Sequence, residues 1–175
     1  GVIDSNDQAP IGYNPVPEMT FSLAAGLNWK GIDFSILLQG AARSSIYLQQ
    51  DIAWDNFWGN YYEEHIGRWT PETAATATYP RFTKAATAAH PNYYKSDYWL
   101  KDSKYLRLKN IQLGYTIPRK LLKKFGVRSL RVYANAYNLF TWDNVKKVDP
   151  ESSNNSNGQF YPQQKVINFG INLNF

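Results

Sequence analysis

The chain contains no cysteine, which removes disulfide staples, thiol nucleophiles and cysteine-based zinc sites and is compatible with an oxidising compartment where free thiols are a liability. Long apolar runs are missing too. Nothing approaches the roughly 18 consecutive apolar residues that a membrane-spanning helix needs, so a helical membrane protein is excluded. Gly1 is not followed by a basic-then-apolar leader, and a secretory signal is expected to have been removed or to lie upstream. The net charge is +5, but no basic face suited to nucleic acid emerges. Arg119, Lys120, Lys123, Lys124 and Arg128 crowd one connector, and the remaining charges are scattered. What the chain does have is aromatic side chains, 16% of residues, with thirteen Tyr and six Trp, at a mean hydropathy of −0.50.

The apolar residues alternate. Phe21, Leu23, Ala25, Leu27 and Trp29 interleave with Thr20, Ser22, Ala24, Gly26 and Asn28, the period-2 signature of a strand with one apolar face. Lys30-Gly31 makes a tight turn, after which Ile32, Phe34, Ile36 and Leu38 oppose Asp33, Ser35 and Gln39, so the pair reads as a hairpin; only Leu37 breaks the polar face. A third strand sets Ile111, Leu113, Tyr115 and Ile117 against Asn110, Gln112, Gly114 and Thr116. Leu106 and Leu108 fall out of phase with it, which predicts a bulge near Lys109 and Asn110. The fourth places Leu130, Val132, Ala134 and Ala136 against Arg131, Tyr133, Asn135 and Tyr137. In the fifth, Ile167, Phe169, Ile171, Leu173 and Phe175 oppose Asn168, Gly170, Asn172 and Asn174. The five strands are expected at about 19–29, 32–40, 104–117, 129–140 and 164–175 within one portion covering 1–175.

Loop lengths separate a soluble sandwich from a membrane barrel. Strands one and two join through two residues and strands three and four through about ten. Long segments, about 41–103 and 141–162, separate the other pairs. Short turns at one end and long loops at the other are the arrangement of outer-membrane barrels. A structureless loop of about sixty residues would be foreign to a compact soluble domain. The apolar faces would then meet lipid and the Asn, Gln, Ser, Thr and Gly faces a lumen. Trp29, Tyr115 and Phe175 lie next to the short-turn end and could form an aromatic girdle. The fold class expected is all-β, a transmembrane antiparallel β-barrel. Five strands cannot close it, and open edges are not tolerated in lipid, so most of the barrel is expected N-terminal to Gly1.

A set of short stretches carries a family resemblance. They are Pro10-Ile11-Gly12, Trp29-Lys30-Gly31-Ile32-Asp33, Leu38-Gln39-Gly40, Arg68-Trp69-Thr70-Pro71-Glu72, Tyr79-Pro80-Arg81 and Tyr105-Leu106-Arg107-Leu108-Lys109-Asn110. Leu113-Gly114-Tyr115, Asn138-Leu139-Phe140-Thr141-Trp142, Asp149-Pro150-Glu151 and the closing Phe169-Gly170-Ile171-Asn172-Leu173-Asn174-Phe175 complete the set. In this order and spacing the chain resembles the C-terminal end of SusC/RagA-type TonB-dependent outer-membrane transporters of Bacteroidetes. The resemblance implies the last five strands of a 22-stranded barrel with an N-terminal plug. It also implies import of a bulky nutrient, an oligosaccharide or in some members a peptide. The implied partners are the TonB complex, acting through the missing N-terminal part, and a SusD-like surface lipoprotein lid. Outer-membrane lipid and the rest of the barrel would surround the chain, and the barrel-assembly machinery would read a last strand ending in Phe175.

Candidate sites can be weighed from the residues. Gly1 to Asp7 looks like the second half of a calcium loop, in which Asp4 and Asp7 would offer hard oxygen ligands to Ca²⁺; solvated turn carboxylates are the plainer reading. Trp54, Phe57, Trp58, Tyr61, Tyr62 and Trp69 cluster in the first long loop. Of these Trp54, Trp58, Tyr61 and Tyr62 are the candidates to stack on cargo, against the alternative that a large loop packs on itself. Asp55, Glu63 and Glu64 lie near His65 without a nucleophile or oxyanion donor, so no enzymatic role is expected. The connector from Pro118 to Val127 spaces Leu121, Leu122 and Phe125 for one face of a short helix, either a solvated periplasmic cap or a membrane-surface element. A secreted aromatic-rich carbohydrate-binding β-sandwich is the alternative from another class.

Overall fold

The computed structural model describes residues 5–57, 59–84, 90–152 and 161–175. These divide into two compact units. One joins 1–17, 43–103 and 144–161; the other joins 18–42, 104–143 and 162–175.

The second unit is a single antiparallel sheet. Its strands are β1 (Met19–Trp29), β2 (Ile32–Ala42), β5 (Tyr105–Thr116), β6 (Ser129–Asp143) and β7 (Val166–Asn174), in the order β1-β2-β5-β6-β7. β2 and β6 run past the ends their alternation indicates, to Ala42 and Asp143, because backbone pairing continues where the side-chain pattern has lapsed. The β1–β2 connection places Lys30 at φ 47° and Gly31 at φ 88°, the left-handed pair of a type I′ turn. Gly31 is required there, since a Cβ would come within 2.7 Å of the Thr116 carbonyl oxygen.

Register brings the apolar residues into straight rows. Leu27, Phe34, Leu113, Ala134 and Phe169 pair in turn across all five strands, as do Trp29, Ile32, Tyr115, Val132 and Ile171. Because the side-chain period is two, these rows share one face, and a one-residue slip in any strand would turn that strand inside out. The expected irregularity is present: Lys109 is the extra residue on β5, skipped between Leu108 and Asn110 in both of its ladders. On β6, Asn138 takes φ 50° at the same level, and beyond it Phe140 and Trp142 rejoin the apolar face opposite Leu108 and Leu106. The two rings lie 6.2 Å apart and are 53% and 56% exposed. Sequence alternation missed this second aromatic band because Asn138 puts a polar residue at an apolar-face position, although Phe140 and Trp142 keep the even-numbered phase of Leu130 to Ala136. From Val132 to Trp142 the strand rises roughly 33 Å, or about 25 Å at a tilt near 40°, the height of an outer-membrane apolar band.

On the opposite face Arg131 grips Asp33 in a bidentate pair, with Arg131 Nε donating to Asp33 Oδ1 at 2.9 Å. The pair reaches over β5 at Gly114, where a Cβ would lie 2.5 Å from the guanidinium and from both carboxylate oxygens.

The first unit has its own core. A short ribbon of β3 (Ser45–Tyr47) and β4 (Leu100–Asp102) supports a cluster of Ile46, Leu48, Ala53, Trp54, Tyr79, Tyr93, Trp99 and Val145. The segment expected as a loop is therefore a folded body with a buried core of its own.

Candidate functional site

The hub of the loop unit is Asp55, which is fully buried. Its Oδ1 accepts from the Tyr93 hydroxyl and lies 3.3 Å from that of Tyr79, and its Oδ2 accepts from Thr83 N–H at 3.2 Å. The Tyr79 hydroxyl in turn donates to the Ala53 carbonyl at 2.8 Å and accepts from Asp55 N–H at 3.0 Å. A buried carboxylate that lost these donors would carry its full desolvation cost, so the network ties residues 24 to 38 positions apart into one arrangement. Burial first, and the Asp55 carboxylate second, raise both phenols well above their ordinary value.

His65 is structural. Its Nδ1 accepts from Tyr62 N–H at 3.0 Å and its Nε2 donates to the Ala53 carbonyl at 3.2 Å, which assigns the neutral Nε2–H tautomer. The ring is 3% exposed and is flanked by Tyr61, Tyr62, Tyr79 and Phe82. Glu64 pairs with Lys147, whose ammonium is lowered to about 8 by burial.

The sequence-derived candidates separate in this structure. Trp54 is 3% exposed and packs on Tyr93 at 4.7 Å; its rings are spent on the loop core and present no face to a ligand. Tyr61 is 58% exposed, its ring 5.6 Å from Phe82. Tyr62 is 39% exposed, donates its hydroxyl to the Asp51 carbonyl and lies under Lys147. Trp58 lies outside the described residues, and so does Asp4. Asp7 is exposed in a 3-10 turn, Ser5–Asp7. Among the described residues no three His, Cys, Asp or Glu side chains cluster as a metal would require, so the described donors do not by themselves make a calcium site.

A concave surface forms elsewhere in the unit. An open, shallow cleft of about 520 Å³ is lined by Trp69, Thr78, Tyr79, Arg81, Asn92 and Tyr98, among others. Local bonding explains its shape. Trp69 N–H donates to the Tyr79 carbonyl at 2.9 Å, and the Thr78 and Tyr79 N–H groups both reach the Gly67 carbonyl. The Arg68-Trp69-Thr70-Pro71-Glu72 stretch is thereby laid against Tyr79-Pro80-Arg81. The intervening chain turns on Thr73, whose hydroxyl donates to the Arg68 carbonyl at 2.9 Å. Tyr98 and Asn92 brace the far wall, donating to the Thr78 and Arg81 carbonyls at 2.8 Å. Trp69 and Tyr98 remain 37% and 38% exposed, and the exposed Arg81 guanidinium makes no ion pair among the described residues. Flat rings beside an uncommitted fork of donors can stack a planar or sugar-like group and bind an anionic oxygen. Sequence reasoning had Trp69 in the aromatic cluster and passed over Tyr98 and Arg81, which only the fold brings beside it.

Comparison with known proteins places this geometry. No family model matches the chain. The TonB-dependent receptor P26 of Formosa agariphila is 29% identical over 192 residues, and TonB-dependent receptor SusC of Bacteroides thetaiotaomicron is 27% identical over 177. Both alignments cover 100% of the chain, which spans only 18% and 17% of the length of these relatives. Among solved structures, the RagAB peptide importer in its open-open state superposes with a TM-score of 0.71 at 23% identity, over 99% of this chain and 19% of that one. A further structure of the RagAB peptide transporter gives a TM-score of 0.73 at 22% identity. The shared fold is thus the antiparallel barrel sheet with its large loop. In sequence the chain is similar to a segment of TonB-dependent receptors, SusC among them, and in fold to a segment of the RagAB structures.

Proposed function

We propose that the chain forms five strands and two large surface loops of a TonB-dependent outer-membrane nutrient importer. The observation that carries this reading is the apolar face. Leu23, Leu27, Leu113, Ile167, Phe169 and Ile171 lie on one side of the sheet and are 56–82% exposed. A continuous apolar face of this extent is foreign to a soluble surface and suited to hydrocarbon. A carbohydrate-binding sandwich would need a second sheet to cover it, and the only other sheet among the described residues is the two-stranded ribbon. Two free edges, on β1 and β7, call for the remaining strands of a closed barrel, about 22 in all on the family resemblance.

In this reading the loop unit faces the cell exterior, contacting cargo and a SusD-like lipoprotein lid. The TonB complex and the plug act through the rest of the receptor. The cargo is an oligosaccharide, with stacking on Trp69, Tyr98, Tyr61 and Tyr62. A peptide cargo is the second reading, favoured by the uncommitted Arg81 guanidinium, which fits a carboxylate. Calcium at Asp4 and Asp7 would require further ligands from preceding sequence.

The test is extraction of the protein from outer membranes with detergent, followed by intact-mass measurement. A species near the mass of a full plug-and-barrel receptor, or a nicked partner that stays bound to this segment, is expected. A free 20.1 kDa protein in the soluble fraction overturns the importer. In the purified receptor, Trp69→Ala with Tyr98→Ala is expected to weaken binding of the transported oligosaccharide at least tenfold; unchanged binding removes the cleft as the cargo surface.

A further inference from the structure

The short-turn end of the sheet carries charge of one sign. Lys30, Arg119, Lys120, Lys123, Lys124 and Arg128 are all exposed there, and none of the six forms an ion pair among the described residues. No Asp or Glu occurs between Asp102 and Asp143, and Asp33, the acid on the adjoining strand, is already held by Arg131.

Five of these cations sit on the β5–β6 connector, whose shape is fixed. Helix α1 (Arg119–Leu122) runs into a 3-10 turn, Lys123–Phe125, and ends at Gly126 in the left-handed conformation at φ 69°. Both flanks are tied to the sheet: Ile117 N–H donates to the Leu130 carbonyl and Arg128 N–H to the Asn174 carbonyl, each at 2.8 Å. Leu122 is buried at 6%, whereas Leu121 and Phe125 are 66% and 75% exposed. Apolar and basic residues are thus presented together on a braced element.

Position gives this combination its meaning. The apolar face of the sheet ends at Trp29 and Tyr115, both exposed aromatics. Arg119 follows Tyr115 by only four residues, at most about 14 Å of extended chain. In a barrel the aromatic band lies at the level where acyl chains give way to headgroups, so cations just beyond it stand at phosphate height. A merely solvated cap would need neither a run of cations unrelieved by any acid nor two large apolar side chains held out in water.

We propose that the β5–β6 connector is a phospholipid anchor: Leu121 and Phe125 enter the leaflet on the short-turn side, and Lys120, Lys123, Lys124, Arg119 and Arg128 bind anionic headgroups of the phosphatidylglycerol type. The proposal rests on the membrane-barrel reading above. Each cation near an anionic surface contributes roughly fivefold in affinity, so the triple variant K120Q/K123Q/K124Q should lose on the order of a hundredfold.

The experiment uses the full receptor carrying this segment, solubilised from outer membranes. It is equilibrated with a mixture of phosphatidylglycerol and phosphatidylethanolamine, and retained lipids are counted by native mass spectrometry. The wild type is expected to retain phosphatidylglycerol selectively, the triple variant to lose that selectivity, and Phe125→Ser to retain less of both lipids with selectivity intact. Heat-modifiable electrophoretic mobility shows that each variant still forms a barrel. Equal retention of the two lipids by the wild type, or selectivity that survives the triple variant, overturns the anchor while leaving the barrel standing. An acidic protein bound through these lysines in place of lipid overturns it as well. Recovery of the protein in the soluble fraction overturns both readings together.

Discussion

The two units of this chain sort the same kinds of side chain in opposite directions. In the sheet, Leu23, Leu27 and Phe169 are 61%, 60% and 82% exposed, and the Asp33–Arg131 pair lies on the other face. In the loop unit, Trp54, Tyr79, Tyr93 and Trp99 are 2–4% exposed and pack around a carboxylate. Amino-acid type alone therefore does not say what is inside. The sheet is arranged for an apolar solvent outside, and the loop unit buries its aromatics as a protein in water does. Each unit is stabilised by what would damage the other.

Four perturbations probe that contrast, from the largest effect to the smallest. Asp55→Ala takes the carboxylate acceptor away from the Tyr93 hydroxyl and the Thr83 N–H and leaves a void at the centre of the network, and is expected to cost the loop unit about 3–5 kcal/mol. Proteolysis within 43–103 should rise sharply, with heat-modifiable barrel mobility unchanged. Loss of both together would mean that the units do not fold separately. Leu23→Arg places a cation at mid-height on the apolar face and is expected to cost about 2–4 kcal/mol in denaturant titration of the membrane-inserted barrel. The matching change at the loop's exposed Ile66, 76% accessible, should cost less than about 0.5 kcal/mol.

Alkaline pH separates the units without mutation. Tyr79 and Tyr93 have phenols raised above an ordinary value near 10, so the stability they contribute is complete below pH 10 and is lost as pH climbs past it. At pH 11 the loss is about 1.4 kcal/mol for each residue, because the unfolded phenol ionises while the folded one does not. Protease sensitivity of the loop, followed from pH 9 to 11, should rise in the wild type and rise less in Tyr93→Phe. Within the sheet, the smaller effect is expected for Gly114→Ala. The new methyl group crowds the Asp33–Arg131 pair, but Arg131 can swing aside, so the cost is about 1 kcal/mol in sheet stability. A larger loss would show that the pair is held more rigidly than its flexible arm implies.

Much of the sheet was legible because its determinants are local. Alternation from Phe21 to Trp29 and from Ile167 to Leu173 states which face each residue takes. Leu106 and Leu108, falling out of phase, located the bulge at Lys109. The continuation at Phe140 and Trp142 was hidden because polar, left-handed Asn138 interrupts an apolar series that otherwise keeps its even-numbered phase. In the candidate site, the aromatic cluster was visible as a cluster only. That Trp54 faces inward while Trp69 joins Tyr98 at a cleft depends on hydrogen bonds between Gly67 and Thr78 and between Tyr98 and Thr78, for which the sequence holds no periodic signal.

The sequence by itself determined the alternation of the strands and the polarity of each face, since with a period of two any one-residue slip would turn Asp33 or Arg131 toward the apolar side. Only the tertiary structure decided what the long loop became. Asp55 had to collect Tyr79, Thr83 and Tyr93 across 24, 28 and 38 residues. A buried charge selects its partners through the desolvation it must offset, a requirement that acts on the folded chain as a whole and on no window of its sequence.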